Sequence, residues 1–146
     1  MAIATATRTI EYQVPTAHPG QRVVLGDPVR FQYLAAGRRW RKTTLGMRKG
    51  LKGAGVRGEE ILWGAPTYRQ CRIGWSEFQR ATGGIAVFHK GDMEITFPPF
   101  GAKISFVSLD DPDNARGKTA DGVILDEAAH YDLHGVWLDV IRPGLA

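Results

Sequence analysis

The 146-residue chain is long enough to bury the core of one domain, since 43% of its residues are apolar and 23% are charged. This composition excludes disordered, collagen-like and coiled-coil chains. No apolar run is long enough for a membrane helix, and the start lacks the pattern of a signal peptide, so we expect a cytoplasmic protein. The single cysteine, Cys71, cannot form an internal disulfide, which suits that compartment.

The net charge of +4 is unevenly distributed along the chain. The stretch from Pro28 to Gly58 contains no acidic residue, but it contains nine basic ones: Arg30, Arg38, Arg39, Arg41, Lys42, Arg48, Lys49, Lys52 and Arg57. A positive field of this kind suits polyphosphate or nucleic acid, and it is equally typical of a solvated basic surface. Composition alone leaves both interpretations open.

The first third of the chain is predicted to contain an arm, a strand and a weak helix. Residues 1–20 are rich in Ala, Thr and Pro, which predicts an N-terminal arm. Aromatic and apolar residues over 30–36 predict a strand. A helix is predicted over 45–52, although Gly46 and Gly50 each weaken a helix by about 1 kcal/mol relative to Ala.

A second strand and the strongest helix follow. Residues 60–65 (EILWGA) predict a strand that ends at Pro66. Residues 68–82 predict a helix, because apolar side chains recur at steps of three and four: Tyr68, Cys71, Trp75 and Phe78. This stripe favours core packing over a ligand platform, so Cys71 is interpreted as a packing residue rather than a nucleophile.

The last part of the chain predicts a hairpin, two strands and a helix. Residues 85–89 and 93–97 alternate apolar and polar side chains across a turn, which predicts a β-hairpin. Strands are predicted over 103–109 and 122–125, the second covered on both faces, and a helix over 133–141. Strands that alternate with helices indicate an α/β domain with a mostly parallel sheet.

A candidate phosphate-binding loop lies between the first predicted strand and the first predicted helix. The pattern G-x-x-x-x-G-K-[ST] is matched by Lys42 and Thr43, while Ala36 and Arg41 occupy the two glycine positions. Such a loop needs backbone N–H groups at a helix N-terminus, a lysine for the outer phosphates and a hydroxyl for Mg²⁺. By itself the match also fits a basic turn before a helix.

A second motif follows the apolar strand over 122–125. Asp126 and Glu127 come directly after it, as in the acidic motif of phosphate-loop ATPases, where one carboxylate holds Mg²⁺ and the next polarises water. The alternative is an ordinary capped helix start. Because parallel strands open onto one crevice at their carboxyl ends, both motifs in this order predict a site for ATP and Mg²⁺.

Several ordered segments give the chain a family resemblance. It resembles the N-terminal ATPase domain of the large terminase subunit of tailed bacteriophages. The resemblance implies an α/β phosphate-loop NTPase fold of the RecA-like (ASCE) type, here incomplete at its C-terminal end. The segments that carry it are residues 19–21 (PGQ), 33–44 (YLAAGRRWRKTT), 62–70 (LWGAPTYRQ), 105–117 (SFVSLDDPDNARG) and 121–129 (DGVILDEAA).

The resemblance also implies residue roles. Arg38 would sense or stabilise the γ-phosphate, Gln21 would contact adenine, and Glu127 would be the catalytic base. Thr43 and Asp126 would hold Mg²⁺. The nucleotide-binding loop would comprise Gly37, Arg38, Arg39, Trp40, Arg41, Lys42, Thr43 and Thr44.

The family implies a motor that hydrolyses ATP to package double-stranded DNA into a procapsid. Its partners would be double-stranded DNA, the portal protein, the small terminase subunit and copies of itself in a ring. It would act in the cytoplasm of a bacterial host and would not associate with a membrane. We expect an arm over 1–20, a partial ATPase domain over 21–146 and no nuclease domain. The alternatives are a weakly active or inactive remnant that binds nucleotide or DNA, and a fragment of another phosphate-loop ATPase such as a helicase.

Three features depart from the family pattern or carry no prediction of chemistry. Arg41 stands where the family keeps a glycine before the lysine, which puts a Cβ where the backbone approaches phosphate or adopts a positive φ. The acidic residues at 110–113 are interpreted as a loop. His130 and His134 are four residues apart, but no third metal ligand accompanies them.

Overall fold

A five-stranded sheet forms the centre of the structure, a computed structural model that describes residues 9–146. The strands are β1 (Ile61–Ala65), β2 (Val87–His89), β3 (Glu94–Phe97), β4 (Ala102–Ser108) and β5 (Gly122–Leu125). The helices are α1 (Pro19–Gly26), α2 (Lys42–Lys52), α3 (Tyr68–Thr82) and α4 (Leu133–Gly135). Wider helical turns continue α2 over Gly53–Arg57 and α4 over Val136–Ile141.

The strands lie in the order β2-β3-β4-β1-β5. Strand β1 is parallel to both of its neighbours, β4 and β5, whereas β2, β3 and β4 pair antiparallel. The predicted α/β class and the hairpin are therefore confirmed. The carboxyl ends of β1, β4 and β5 meet at one edge of the sheet, where α/β domains carry their sites.

Two apolar clusters cover the two faces of the sheet, and β1 contributes to both. Ile61, Trp63 and Ala65 point into the cluster under α2 and α3, while Leu62 points into the cluster under the helical turns after α4. This alternation is the period of two expected of a strand buried on both faces. It explains why residues 61–65 read as a nearly continuous apolar run.

Helices α2 and α3 approach the sheet closely because glycines face Trp63. A Cβ on Gly46 of α2 would lie 3.0 Å from the Trp63 ring, and one on Gly74 of α3 would lie 2.6 Å from it. These glycines weaken their helices locally but allow the large indole to fill the space between helices and sheet. Helix α2, which follows the candidate phosphate loop, is thereby seated firmly against the strand ends.

Helix α3 spans the predicted residues 68–82. Cys71, Trp75 and Phe78 of its stripe lie in the core, whereas Tyr68, at the first turn, is 42% exposed. Cys71 is fully buried and its Sγ lies 3.3 Å from the Val107 carbonyl oxygen, so the packing interpretation of this residue is confirmed. Burial raises the pKa of its thiol to about 12. The predicted helix over 133–141 is also present, formed by α4 and its wider turns.

The predicted strand over 30–36 is wrong. No strand of the described residues pairs with this segment, which runs without helix or strand toward the turn before α2. Phe31 is 61% exposed and Tyr33 is 80% exposed, although the Phe31 ring contacts Trp137 edge to face. High strand propensity is insufficient here, because a strand also needs a hydrogen-bonding neighbour.

Three smaller differences concern element ends and burial. Helix α2 begins at Lys42, three residues before the predicted start, because the helix opens directly on the loop. Helix α1 was not predicted, since His18 replaces the usual small capping residue. Strand β5 contacts both clusters, yet its residues are only partly buried because β5 lies at the edge of the sheet.

The residues before α1 run along the domain surface. The Tyr12 hydroxyl donates a hydrogen bond of 2.6 Å to the Gly55 carbonyl, and the Gln13 N–H donates one to the Ala81 carbonyl. Residues 1–8 of the predicted arm lie outside the described residues. Within the described part, no helix is long and apolar enough to span a membrane.

Candidate phosphate-loop site

The two predicted motifs meet at the carboxyl edge of the sheet. The Thr43 hydroxyl, in the first turn of α2, donates a hydrogen bond of 2.9 Å to the Asp126 carboxylate, directly after β5. The Asp126 N–H donates to the Gly64 carbonyl of β1, so the parallel β1–β5 pairing holds the carboxylate in place. A hydroxyl and a carboxylate, both hard oxygen donors, therefore lie side by side at a helix N-terminus.

The N-terminus of α2 carries no side-chain cap. The first N–H groups of a helix have no intrahelical partner, and the helix dipole makes this end positive. Helix α2 has eleven residues, and its start follows a basic stretch of the sequence that includes Arg38, Arg39 and Arg41. This end of the helix can therefore accept an anion such as a phosphate group.

The loop before α2 contains two non-glycine residues in the left-handed region. Arg39 has φ 65° and Arg41, which immediately precedes the helix, has φ 60° and ψ 48°. This conformation costs an L residue about 1 kcal/mol or more, and glycine adopts it freely. The glycine preference of the pattern at position 41 thus has a backbone cause in this structure.

The Lys42 amine bonds to its own loop. Its Nζ donates a hydrogen bond of 2.6 Å to the Ala36 carbonyl. The ammonium therefore lies over the loop, beside the uncapped helix end. It would leave the Ala36 carbonyl if another oxygen acceptor took that carbonyl's place. Arg38 and Arg39 are exposed, and neither side chain makes a hydrogen bond or ion pair with the described residues.

The surroundings of Asp126 change the pKa of its carboxyl group. Burial raises the pKa of this carboxyl above its ordinary value, and the charge of Glu127 acts in the same direction. The hydrogen bonds from the Thr43 hydroxyl and the Glu127 N–H, with the charge of Lys42, offset part of the rise. A divalent cation would supply the positive charge that this carboxylate lacks.

Glu127 lies at the exposed rim of the site. It has φ 51° and turns the chain sharply away from β5. Its carboxylate lies 3.4 Å from His130 Nε2. Solvent access suits a group that handles water, and the two acidic residues thus have different surroundings: Asp126 half-buried and Glu127 exposed.

Gln21 is buried and holds the loop rather than facing open space. It is 2% exposed, and its Nε2 donates to the Trp40 carbonyl at 3.3 Å and to the Arg41 carbonyl at 3.2 Å. Its Oε1 accepts from the His18 N–H at 3.3 Å. Gln21 therefore connects α1 to the candidate phosphate loop, a contact that the sequence did not reveal.

Thr44, the last residue of the predicted loop, bonds to a different helix. Its hydroxyl donates a hydrogen bond of 3.0 Å to the Glu77 carboxylate of α3, which also contacts Arg80. Thr43 and Thr44 therefore face different partners, one at the sheet edge and one on α3. Spacing alone could not separate the two, because either hydroxyl follows the lysine closely.

The other acidic and histidine residues form no metal site. Among residues 9–146 there is no group of three or more His, Cys, Asp or Glu side chains that could hold a metal ion. Asp111 caps a short turn at Asp113, which in turn pairs with Arg116 at 2.8 Å. These residues shape the loop after β4, as the sequence predicted for the acidic cluster.

The sheet order and the helix that opens on a loop at the carboxyl edge of the sheet are those of an α/β domain with a fold like that of phosphate-loop NTPases. Residues 33–144 match the family model described as terminase large subunit, T4likevirus-type, N-terminal. The chain therefore belongs to this terminase family, as its resemblance implied, and the helicase alternative is set aside. No curated protein matches the chain.

Solved structures agree on the fold. The chain is similar to the large terminase ATPase domain of Thermus phage P74-26, with a TM-score of 0.75 and 23% identity over 88% of this chain and 60% of that chain. A mutant of the same domain matches with a TM-score of 0.74 and 22% identity over the same shares. The chain thus spans about 60% of the length of the solved domains that it matches.

Proposed function

We propose that this domain binds Mg-ATP and hydrolyses it, as the ATPase part of a large terminase that drives double-stranded DNA into a procapsid. Family membership supports the terminase class. The observation that carries the chemistry is the hydrogen bond between the Thr43 hydroxyl and Asp126, because it joins the two halves expected of a nucleotide site.

The donor set fits both ATP and Mg²⁺. The uncapped N-terminus of α2 and the ammonium of Lys42 suit the phosphates, and the residues of the proposed loop are Gly37, Arg38, Arg39, Trp40, Arg41, Lys42, Thr43 and Thr44. The Thr43 hydroxyl and the Asp126 carboxylate are oxygen ligands of the kind Mg²⁺ prefers. Mg²⁺, when bound, neutralises charge on the phosphate oxygens.

The chain's own residues divide the remaining work. Lys42 leaves the Ala36 carbonyl and stabilises charge on the outer phosphates. Glu127, exposed beside the half-buried Asp126, orients the attacking water and accepts its proton. Arg38, free in the described structure, turns toward the γ-phosphate.

The Gln21 side chain can contact adenine only if it breaks its hydrogen bonds to the candidate loop. Its amide is occupied by the Trp40 and Arg41 carbonyls. We propose that it either exchanges these contacts for adenine or acts on the nucleotide through the loop. ATP and GTP affinities of Gln21→Ala separate the two, since adenine contact predicts a selective loss for ATP.

Double-stranded DNA is the proposed polymer substrate. Arg30 and Arg39 are exposed in a segment without acidic residues, and such side chains contact phosphates. The portal protein, the small terminase subunit and further copies in a ring are the proposed partners. Affinity for DNA should fall steeply with salt, because phosphate contacts release counterions.

The test is ATP turnover by the purified chain beside Glu127→Gln, with Glu59→Gln as the matched control on another surface. We expect Mg-ATP binding in all three proteins, and turnover in wild type and Glu59→Gln alone. Turnover that survives Glu127→Gln would contradict the proposed base. Absence of Mg-ATP binding by folded wild type would contradict the proposed function.

Binding without turnover is the second candidate. The left-handed Arg41 at the glycine position and the Lys42 amine bound to its own loop favour it. A Lys42 amine that keeps its bond to Ala36 cannot stabilise the charge that develops on the γ-phosphate during hydrolysis, so turnover would suffer more than binding. Under this alternative wild type binds Mg-ATP but matches Glu127→Gln in hydrolysis rate.

A further inference from the structure

Both ring nitrogens of His18 are engaged. Its Nδ1 accepts a hydrogen bond of 3.3 Å from the Gln21 N–H and so caps α1. Its Nε2 lies 3.2 Å from the Trp40 carbonyl oxygen. A carbonyl can only accept, so Nε2 carries the proton and Nδ1 does not. The two contacts together select one neutral tautomer.

The Trp40 carbonyl belongs to a sharply turned part of the candidate loop. Trp40 lies between Arg39 and Arg41, which both adopt left-handed backbone conformations. Its carbonyl accepts from two donors, the Nε2 group of His18, which caps α1, and the Nε2 group of Gln21 within α1. Such a conformation persists only where its surroundings hold it.

The rings add a second contact between the same two residues. The His18 and Trp40 ring centroids lie 4.7 Å apart at 86°, an edge-to-face arrangement. Gly20 leaves room for it, because a Cβ there would lie 3.2 Å from both His18 Cε1 and Trp40 Cζ2. The residues at the start of α1 therefore contact the candidate loop in addition to capping the helix.

We propose that His18 is a positioning residue of the phosphate loop: its ring N–H holds the Trp40 carbonyl and thereby sets the backbone two residues before Lys42. This inference rests on the proposed function for its effect on ATP, but its effect on the loop is independent of it. A residue that only capped α1 would act on helix stability and leave the loop unchanged.

His18→Asn separates capping from positioning. Asn is a good helix cap and accepts the Gln21 N–H, but its short side chain does not reach the Trp40 carbonyl. We expect unchanged amide hydrogen exchange within α1, a small fall in unfolding temperature from the lost Trp40 contacts, and exchange over residues 37–44 that becomes faster relative to the rest of the domain. Affinities for Mg-ATP and for inorganic tripolyphosphate should both fall about threefold to tenfold, the effect of one lost hydrogen bond. His89→Asn, far from the loop, should match wild type.

Gly20→Ala tests the contact between the His18 and Trp40 rings without removing a hydrogen-bonding group. Alanine favours a helix over glycine, so a purely helical role predicts a stability gain and unchanged affinity. Positioning predicts faster exchange over residues 37–44 and weaker tripolyphosphate binding, since the new Cβ pushes His18 and Trp40 apart.

The outcomes separate the two proposals. Unchanged loop exchange in His18→Asn overturns the positioning role, whatever the affinities are. Faster loop exchange in a chain whose wild type binds neither Mg-ATP nor tripolyphosphate upholds His18 and overturns the proposed function. Nitrogen-15 shifts of the His18 ring give a further check, and a protonated Nδ1 would contradict the assigned tautomer.

Discussion

The Thr43 hydroxyl and the Asp126 carboxylate, 83 residues apart in the chain, are joined by a hydrogen bond of 2.9 Å. The bond fixes the helix N-terminus of α2 to the carboxyl end of β5. Either oxygen alone is a weak ligand for Mg²⁺, whereas the two together could hold the ion, with water and phosphate oxygens as its other ligands. The proposed magnesium site therefore depends on both residues at once.

Replacement of Thr43 tests this dependence. Thr43→Val keeps the shape and removes the hydroxyl, so Mg-ATP affinity should fall at least about tenfold, a loss of about 1.4 kcal/mol. Thr43→Ser keeps the hydroxyl and should bind nearly as wild type does. Calorimetry with and without EDTA measures the effect. A Val variant that keeps the full Mg²⁺ dependence would exclude Thr43 from the metal site.

Lys42→Ala should abolish Mg-ATP binding. The ammonium belongs to the first residue of α2, beside the uncapped helix end, and it is the group that the loop pattern assigns to the outer phosphates. The loss of this partly buried bond should lower stability by only about 1 kcal/mol. Lys52→Ala, at the far end of the same helix, is the matched control and should bind normally. Equal ATP affinity in Lys42→Ala and wild type would overturn the assignment of the loop.

Asp126 makes stability depend on pH in a defined direction. Its pKa in the folded state is raised by burial, so the folded protein binds this proton more tightly than the unfolded chain. The stability contribution is present below the unfolded pKa of about 3.9 and is lost as pH rises through the raised folded value.

Asp126→Asn removes this charge while keeping its shape. The variant should unfold at a temperature equal to or above that of wild type at pH 7, and the difference should shrink toward pH 4, while Mg-ATP binding is lost. Thermal unfolding across this pH range measures it, with the exposed Asp92→Asn as control. A variant less stable than wild type at pH 7 would mean that the carboxylate is held by more than the contacts seen here.

The periodicity of apolar residues was sufficient to predict the elements whose side chains pack in the core. The stripe of α3 and the apolar run of β1 each match one period, and both elements lie within a residue of their predicted bounds. The segment at 30–36 is also rich in strand-forming residues, but no strand of the described sheet pairs with it. Pairing is a property of the whole sheet, so propensity misassigned it.

The candidate site divides in the same way. Thr43 and Asp126 could be predicted as neighbours, because parallel strands and the helices between them bring their ends to one edge. The contacts of Gln21 and His18 with the loop could not, since they depend on how α1 docks. The capping pair of His18 and Gln21 was a usable signal for α1, but histidine is an uncommon cap.

Arg41→Gly should stabilise the protein. Arg41 has φ 60° and ψ 48°, and glycine adopts these angles without the Cβ–carbonyl contact that burdens an L residue. The gain should be about 1 kcal/mol, or a rise of about 3 °C in Tm, reduced by the greater entropy that glycine gives the unfolded chain. Calorimetric unfolding at moderate salt measures it.

Arg38→Gly is the matched control for this change. It removes the same charge from the same loop, but the Arg38 backbone is not in the left-handed region. Glycine therefore relieves no backbone strain at this position, and its entropy cost should lower the stability. The difference between the two variants therefore isolates backbone strain from charge repulsion among the loop arginines. If both variants gain equally, relief of charge repulsion outweighs the entropy cost of glycine at both positions, and backbone strain at Arg41 adds nothing further. If Arg41→Gly falls as Arg38→Gly does, the left-handed turn before Lys42 is not strained, and the glycine preference at this position must have another cause.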